Sequence, residues 1–172
     1  MVSMHINATT APINVVEIGT AWGGNADFMG KYFKNANIYA VDPLAPDYDP
    51  TDAQSQKMNS MKGSDPKEAG RTWAHALILD QHRVAGSGCR YHLIKEFSNA
   101  AAPILSKALG KHSIHFLFVD GLHTHEGVVE DIKNYLPLVA AGGVIIFNDY
   151  GGRFTGVTRY VIVGCVIKVK YS

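Results

Sequence analysis

Acidic residues follow the apolar segments of this chain at the points where those segments end. The residues at these points are Glu17-Ile18-Gly19, Asp42-Pro43, Glu96-Phe97-Ser98, Asp120-Gly121-Leu122-His123 and Asn148-Asp149. In an open α/β sheet, ligands bind beyond the carboxyl ends of the strands, so these residues would meet at one edge. Carboxylates gathered there suit the binding of ribose hydroxyls, an amino group or a cation.

A glycine-rich turn follows the first apolar segment. Val15–Ile18 reads as a strand that runs through Gly19 into Gly23, Gly24 and a helix. Glycines let the backbone approach a ligand closely, and the free N–H groups of a helix N-terminus line such a site. Three non-glycine residues separate Gly19 from Gly23, whereas a dinucleotide turn has the spacing G-x-G-x-x-G. The turn therefore favours a different nucleoside cofactor.

Two carboxylates flank this turn. Asp42 ends the second apolar segment about twenty residues beyond the turn, where an acid can accept hydrogen bonds from both ribose hydroxyls. Its alternative role is a helix cap or a turn aspartate before Pro43. Glu17 would organise the glycine turn or face an ammonium group, and its alternative role is an ion pair at the end of the strand.

The elements that must position these residues alternate between strand and helix. Apolar, β-branched segments predict strands at Ile13–Ile18, Asn37–Val41, Tyr91–Ile94, Ile114–Val119 and Gly143–Phe147. Helical spacing predicts helices at Gly24–Phe33, Pro66–Val84, Asn99–Leu109 and Thr124–Leu138, the last ending before a stop at Ala140–Gly143. This pattern predicts a single domain over residues 1–172: a Rossmann-like three-layer α/β/α sandwich around a mostly parallel sheet of six to seven strands.

The last part of the chain predicts a shortened C-terminal end. Gly156–Arg159 begins like a helix, and the β-rich segment Tyr160–Tyr171 reads as one closing strand. An exposed edge strand pairs readily, which favours a homodimer. Irregular segments at Pro43–Lys62 and Asp149–Gly156, together with the region of Trp73 and His75, would recognise the substrate.

Composition excludes several classes of function. Hydrophobic residues make up 47% and charged residues 18% of the 172, and the net charge of +1 gives no reason to expect nucleic acid or an anionic membrane as partner. Cys89 and Cys165 match no metal or redox spacing and predict free thiols in a reducing compartment. With no apolar segment long enough to span a membrane and no signal-peptide pattern, we expect a cytoplasmic protein.

The motifs together resemble a known family. The glycine turn, Tyr39–Pro43 and Phe116–Asp120 resemble the class I S-adenosylmethionine-dependent methyltransferases. Phe118–Asp131 and Gly142–Asp149 narrow the resemblance to methyltransferase family 24, near macrolide-sugar O-methyltransferases and cephalosporin hydroxylase-like proteins. The resemblance covers about Val15 to Val157 and implies methylation of a small-molecule hydroxyl, such as that of a sugar.

The resemblance also implies roles for single residues. For S-adenosyl-L-methionine it implies Gly19, Thr20 and Gly23 around the amino-acid part, Asp42 at the ribose and Ser98 near the adenine. Glu17 and Asp120 are two further predicted cofactor-binding residues. The residues before Ser98 depart from the commoner Gly-Asp. Acids after the fourth and fifth strands bind magnesium in related enzymes, and Asp120, Asn148 and Asp149 occupy those places. Asn148 stands where an acid is common, so such a site would be weaker.

The same resemblance makes His123 the base that accepts the hydroxyl proton, beside Asp120. A strand-end aspartate can instead cap a helix, and His123 or His125 can be solvent-facing loop residues. We expect Glu130 and Asp131 to be surface or packing groups. Two other functions stay open: a non-catalytic cofactor-binding partner protein, and a nicotinamide-dependent oxidoreductase, which the missing G-x-G-x-x-G and Tyr-x-x-x-Lys patterns disfavour.

Overall fold

The computed structural model describes residues 12–21, 23–33, 35–44, 88–148 and 166–168, and six strands in these ranges form one sheet. The strands are β1 (Ile13–Ile18), β2 (Ala36–Val41), β3 (Arg90–Ile94), β4 (Ile114–Val119), β5 (Val139–Phe147) and β6 (Val166–Lys168). Their order in the sheet is β3-β2-β1-β4-β5-β6. The first five are parallel, and β6 pairs antiparallel with β5. The Rossmann-like prediction is confirmed, with six strands among the described residues.

Three α-helices connect the parallel strands in the described part of the chain. They are α1 (Gly24–Tyr32), α2 (Ser98–Leu109) and α3 (His125–Tyr135), and a short 3₁₀ helix, Leu136–Leu138, follows α3. Thr124 begins α3 as predicted, because its hydroxyl oxygen accepts a hydrogen bond from the Gly127 N–H at 3.1 Å. The first four predicted strands agree with the structure to within one residue at each end, and so do the predicted helices that correspond to α1 and α2.

Gly142 and Gly143 do not form the predicted helix stop. Ala140–Gly143 lies within β5 instead of in a turn after a helix. Helix α3 stops earlier because Pro137 has no N–H to continue it. The pairing of β4 with β5 shifts register here, from Ile114–Val139 to Phe116–Val144, so the extra residues form an irregularity in the strand. A side chain at position 143 would lie 2.7 Å from Cγ1 of Val139, which explains the glycine.

Two clusters of buried side chains cover the two faces of the sheet. One packs α2 and α3 against the sheet and includes Leu105, Leu117, Ile132 and Tyr135. The other packs α1 against the opposite face and includes Val15, Met29, Ile38 and Phe116. Alternate residues of β1 and β4 therefore point to opposite faces, which fixes the register of the central strands.

Several predictions concern residues outside the described ranges. These are the helix Pro66–Val84, the loop Asp149–Gly156, all but the first two residues of Pro43–Lys62, and most of the strand Tyr160–Tyr171. Within the ranges described, no helix is both long enough and apolar enough to cross a membrane.

Candidate functional site

The carboxyl ends of the central strands align in one row. Ile18 pairs with Val41 and with Val119, and Val119 pairs with Phe147. The backbone hydrogen bonds continue one residue further, and each joins a candidate residue to the neighbouring strand: Gly19 N to Val41 O at 2.8 Å, Asp42 N to Ile94 O at 3.1 Å, Asp120 N to Ile18 O at 2.9 Å, and Asn148 N to Val119 O at 3.0 Å. The sheet therefore brings the predicted cofactor turn and the predicted catalytic residues to one edge.

Gly19 is the point where the glycine turn touches the loop after β4. Its φ of +82° lies in the left-handed region that favours glycine. A Cβ at this position would overlap the backbone carbonyl of Asp120. Gly23, also at φ +82°, begins α1 and donates its N–H to Thr20 O at 2.7 Å. Glycine at both positions therefore has a steric reason.

Asp42 ties the glycine turn to the end of β2. Its side chain is buried, and its two oxygens accept hydrogen bonds from Ala21 N at 2.8 Å and from Leu44 N at 2.7 Å. Burial raises the pKa of Asp42, while these two hydrogen bonds act to lower it. Each carboxylate oxygen has two lone pairs, so Asp42 retains acceptor capacity for a ribose.

Glu17 is fully buried beneath the same turn. Its Oε2 accepts a hydrogen bond from the Thr20 hydroxyl at 2.8 Å. Burial raises the pKa of Glu17 from 4.5 to about 8, against the opposing effect of hydrogen bonds from Thr20 and Asn25. The carboxyl thus organises the glycine turn, which is one of the two roles predicted for it.

A hydrogen-bonded cluster lies at the ends of β4 and β5 and consists of Asp120, His123 and Asn148. Oδ1 of Asp120 accepts a hydrogen bond from the Asn148 amide at 2.9 Å and lies 3.3 Å from Nε2 of His123. The His123 side chain is 10% exposed, so it is not a solvent-facing loop residue. A carboxylate beside an imidazole orients the ring and favours one tautomer, as a base requires.

The described residues do not by themselves form a magnesium site. Asn148 directs its N–H toward Asp120, whereas magnesium needs the amide oxygen. In the ranges the structure covers, no three Asp, Glu, His or Cys side chains are grouped in a way that could hold a metal ion. Asp149, the third predicted ligand, lies outside those ranges. The magnesium site therefore stays a prediction.

A cavity of about 230 Å³ opens beside the glycine turn, between the sheet edge and helices α2 and α3. The residues of its wall include Gly19, Pro43, Phe97, Ser98, Gly121 and Asp131. Ser98, predicted to lie near an adenine, is the first residue of α2 and lines this cavity. Glu96, the acid of the same loop, is exposed and is absent from the wall.

Asp131 agrees with the second of the two roles expected for it, a packing group and not a surface group. It is 3% exposed, and it also contributes to the cavity wall. Burial raises its pKa to about 6, while a hydrogen bond from the Ser98 side chain acts in the opposite direction. Helical periodicity contained the signal, because Val128, Asp131, Ile132 and Tyr135 share one buried stripe of α3.

Comparisons with known proteins agree with this geometry. Residues 16–150 match the methyltransferase domain of family 24. An uncharacterized protein of Acanthamoeba polyphaga mimivirus is 28% identical over 138 residues, which are 80% of this chain and 52% of that protein. The chain thus spans about half the length of this relative.

Solved structures show the same fold. The O-methyltransferase NovP has a TM-score of 0.53 at 17% identity, over 89% of this chain and 63% of its own. CalS11, a TDP-rhamnose 3'-O-methyltransferase of calicheamicin biosynthesis, has a TM-score of 0.53 at 13% identity, over 88% of this chain and 62% of its own. This chain therefore spans less than two thirds of either structure. The match over residues 16–150 shows that the chain belongs to the methyltransferase domains of family 24.

Proposed function

We propose that this protein transfers a methyl group from S-adenosylmethionine to a hydroxyl group of a small molecule. The observation that carries the proposal is the common edge of the sheet, where the glycine turn, Asp42 and the Asp120–His123 pair lie on adjoining strand ends. This arrangement would hold a nucleoside cofactor within reach of a base. Membership of the methyltransferase domains supplies the reaction class.

The cofactor would lie across the Gly19 turn. Its ribose hydroxyls would donate to Asp42, and its adenine would enter the cavity between Pro43 and Phe97. The amino-acid part would lie near Thr20 and Gly23, above the buried Glu17. These roles follow from the positions of the residues and from the resemblance in the sequence.

In the proposed reaction the hydroxyl oxygen attacks the methyl carbon of the sulfonium. The carbon–sulfur bond breaks, its electron pair stays on sulfur, and S-adenosylhomocysteine leaves. An alcohol is a weak nucleophile at neutral pH, so removal of its proton lowers the barrier. His123, whose Nε2 lies 3.3 Å from Oδ1 of Asp120, would be the residue that takes the hydroxyl proton. Alignment of the two reactants would provide much of the remaining acceleration.

A sugar is our proposed acceptor. The support is the resemblance to macrolide-sugar O-methyltransferases and the fold shared with CalS11, which acts on TDP-rhamnose. If magnesium binds, Asp120, Asn148 and Asp149 would hold it, and it would orient the hydroxyl and stabilise the alkoxide.

One observation favours a second candidate, a cofactor-binding partner protein without transferase activity. Asn148 replaces an acid that related metal-dependent enzymes commonly carry, and its amide occupies an acceptor oxygen of Asp120. Such a protein would bind the cofactor as tightly as an enzyme does but would not turn over. Cofactor binding and turnover must therefore be measured separately.

Calorimetry tests the cofactor, and a transfer assay tests the reaction. Titration with S-adenosylmethionine and S-adenosylhomocysteine should release or absorb heat, whereas NAD should not. Binding of NAD alone would refute the proposal in favour of an oxidoreductase. Incubation with labelled S-adenosylmethionine and a panel of nucleoside-diphosphate sugars should then give labelled sugar. Cofactor binding with no transfer across the panel, with and without magnesium, would support the partner protein.

A further inference from the structure

Asp131 is a buried carboxylate that the proposed methyl transfer does not use. It is 3% exposed and contributes to the wall of the 230 Å³ cavity. Its Oδ2 lies 3.2 Å from where a Cβ on Gly121 would be, so the carboxylate lies directly against the loop after β4. A buried carboxylate is costly unless hydrogen bonds compensate it, which calls for a reason to place one here.

One role of Asp131 is to support the first turn of α2. This helix begins at Ser98 with no side-chain cap and no acidic residue in its first turn. The Ser98 side chain donates a hydrogen bond to Asp131, and the Tyr135 hydroxyl donates to the Ser98 carbonyl at 2.9 Å. Helix α3 therefore holds the first turn of α2 in place. A carboxylate near a helix N-terminus is also favoured by the helix dipole.

These contacts leave acceptor capacity on Asp131. An ionised carboxylate offers about four lone-pair sites, and Ser98 is its one hydrogen-bond partner identified among the described residues. Other parts of the cavity wall are apolar and come from Val41, Pro43 and Leu122. An apolar slot with a carboxylate at one side fits a flat heterocycle that carries an amino group.

The loop after β3 offers no alternative acid for this purpose. Its Glu96 is exposed and does not line the cavity. Glu130, next to Asp131, also lines the cavity, but it is exposed, and its Oε1 lies 3.4 Å from the Asn99 amide. Asp131 is thus the buried acceptor that a base in this cavity would meet.

We propose that Asp131 sets the base specificity of the cavity by accepting a hydrogen bond from the exocyclic amino group of adenine. The inference rests on the proposed function for the nucleoside itself. Hypoxanthine carries a carbonyl in place of that amino group, so its oxygen would face the carboxylate without a proton between them. A site built to hydrogen-bond a ligand group discriminates strongly against the analogue that lacks it.

The test compares S-adenosylhomocysteine with S-inosylhomocysteine by calorimetry at about pH 8, above the pKa of about 6 that burial gives Asp131. The unmodified protein should bind the adenine compound at least about tenfold more tightly. Asp131→Asn should lose this preference, because an amide can either accept from an amino group or donate to a carbonyl. Glu126→Gln is the matched control: it removes the same charge from an exposed position of α3 and should keep the preference.

The outcomes distinguish a failure of this inference from a failure of the proposed function. If the unmodified protein binds neither compound, the proposed function fails, and this inference fails with it. If it binds both equally, the base specificity is refuted while the proposed function stands. If Asp131→Asn still prefers the adenine compound, the inference is refuted, and Asp131 only supports α2. Should that variant not fold, the N6,N6-dimethyl analogue decides: the unmodified protein should bind it at least about tenfold more weakly than S-adenosylhomocysteine, and equal binding refutes the inference.

Discussion

The amide nitrogen of Asn148 lies 2.9 Å from Oδ1 of Asp120, the same oxygen that His123 Nε2 approaches at 3.3 Å. Two nitrogen atoms therefore lie within hydrogen-bond distance of one oxygen of Asp120. The Asn148 contact joins the ends of β4 and β5, and the His123 contact stays within the loop after β4.

Asn148→Asp should weaken the fold and strengthen the binding of magnesium. The change replaces a donor with a second carboxylate beside Asp120, and like charges so close raise one pKa and destabilise the site. We expect a loss of about 1 kcal/mol in the free energy of unfolding, because the part-buried hydrogen bond between Asn148 and Asp120 is lost. Calorimetry with magnesium should show at least about tenfold tighter binding, because carboxylate oxygens suit this ion.

Asn134→Asp is the control for this variant, because it makes the same change on α3 away from Asp120. It should leave magnesium affinity unchanged. If Asn148→Asp binds magnesium no better than the unmodified protein does, the predicted ligand set is wrong.

His123→Gln should lower kcat while it leaves the affinity for S-adenosylhomocysteine within about threefold. A general base contributes about 10²–10⁴-fold to the rate, and the loss should fall in that range. His125→Gln tests the neighbouring histidine, at the first residue of α3, and should keep turnover. The measurements are a transfer assay and calorimetry on the same preparations. Unchanged turnover in His123→Gln would remove this residue as the base.

Asp42→Ala should lose both cofactor affinity and stability. The Ala21 and Leu44 N–H groups would each lose an acceptor, at a cost of about 0.5–1.5 kcal/mol for each of these part-buried hydrogen bonds. We expect S-adenosylhomocysteine to bind at least about tenfold more weakly. Asp27→Ala breaks the exposed pair with Lys31 at 3.0 Å and should change the unfolding free energy by less than about 1 kcal/mol. Equal cofactor affinity in Asp42→Ala and the unmodified protein would exclude the ribose role.

Glu17 should make the protein less stable as pH rises from about 4.5 to about 8. Its pKa is raised to about 8 in the folded protein from 4.5, so over this interval the folded state holds a proton that the unfolded state has lost. Stability therefore falls with pH, by at most about 1.4 kcal/mol per pH unit from this group. Above pH 8 both states are ionised and the slope from Glu17 ends.

Glu17→Gln should flatten this dependence, since the amide keeps an acceptor for Thr20 but does not titrate. Urea unfolding at several pH values measures it, with Glu126→Gln as the exposed control that should keep the slope of the unmodified protein. An identical slope in Glu17→Gln would show that the carboxyl stays ionised when buried.

The sequence predicted the strand ends well because those residues carry strong signals. Continuous apolar segments such as Ile114–Val119 end at a carboxylate, and parallel pairing brings such ends to one edge. The same periodicity failed at Ala140–Gly143, where glycines that look like a helix stop form an irregularity in a strand. A register shift depends on the pairing of β4 with β5, which local sequence does not encode.

Side-chain environments were harder to predict than positions. The sequence placed Asn148 beside Asp120 but could not say which atom of the amide faces the carboxylate. It placed Asp131 on α3 but left the depth of its burial unknown, because that depth depends on how closely α3 approaches Ser98 of α2. These properties arise from tertiary packing, which depends on contacts between residues far apart in the chain.

The contact of Gly19 with the Asp120 backbone has a consequence for how this protein can change. The turn that would hold the cofactor and the loop that would carry the base touch through main-chain atoms, so neither can be rebuilt without displacing the other. Under the proposed function, a change of methyl acceptor would therefore have to arise in segments that do not touch this junction. Position 19 itself has no room for a side chain beside the Asp120 backbone.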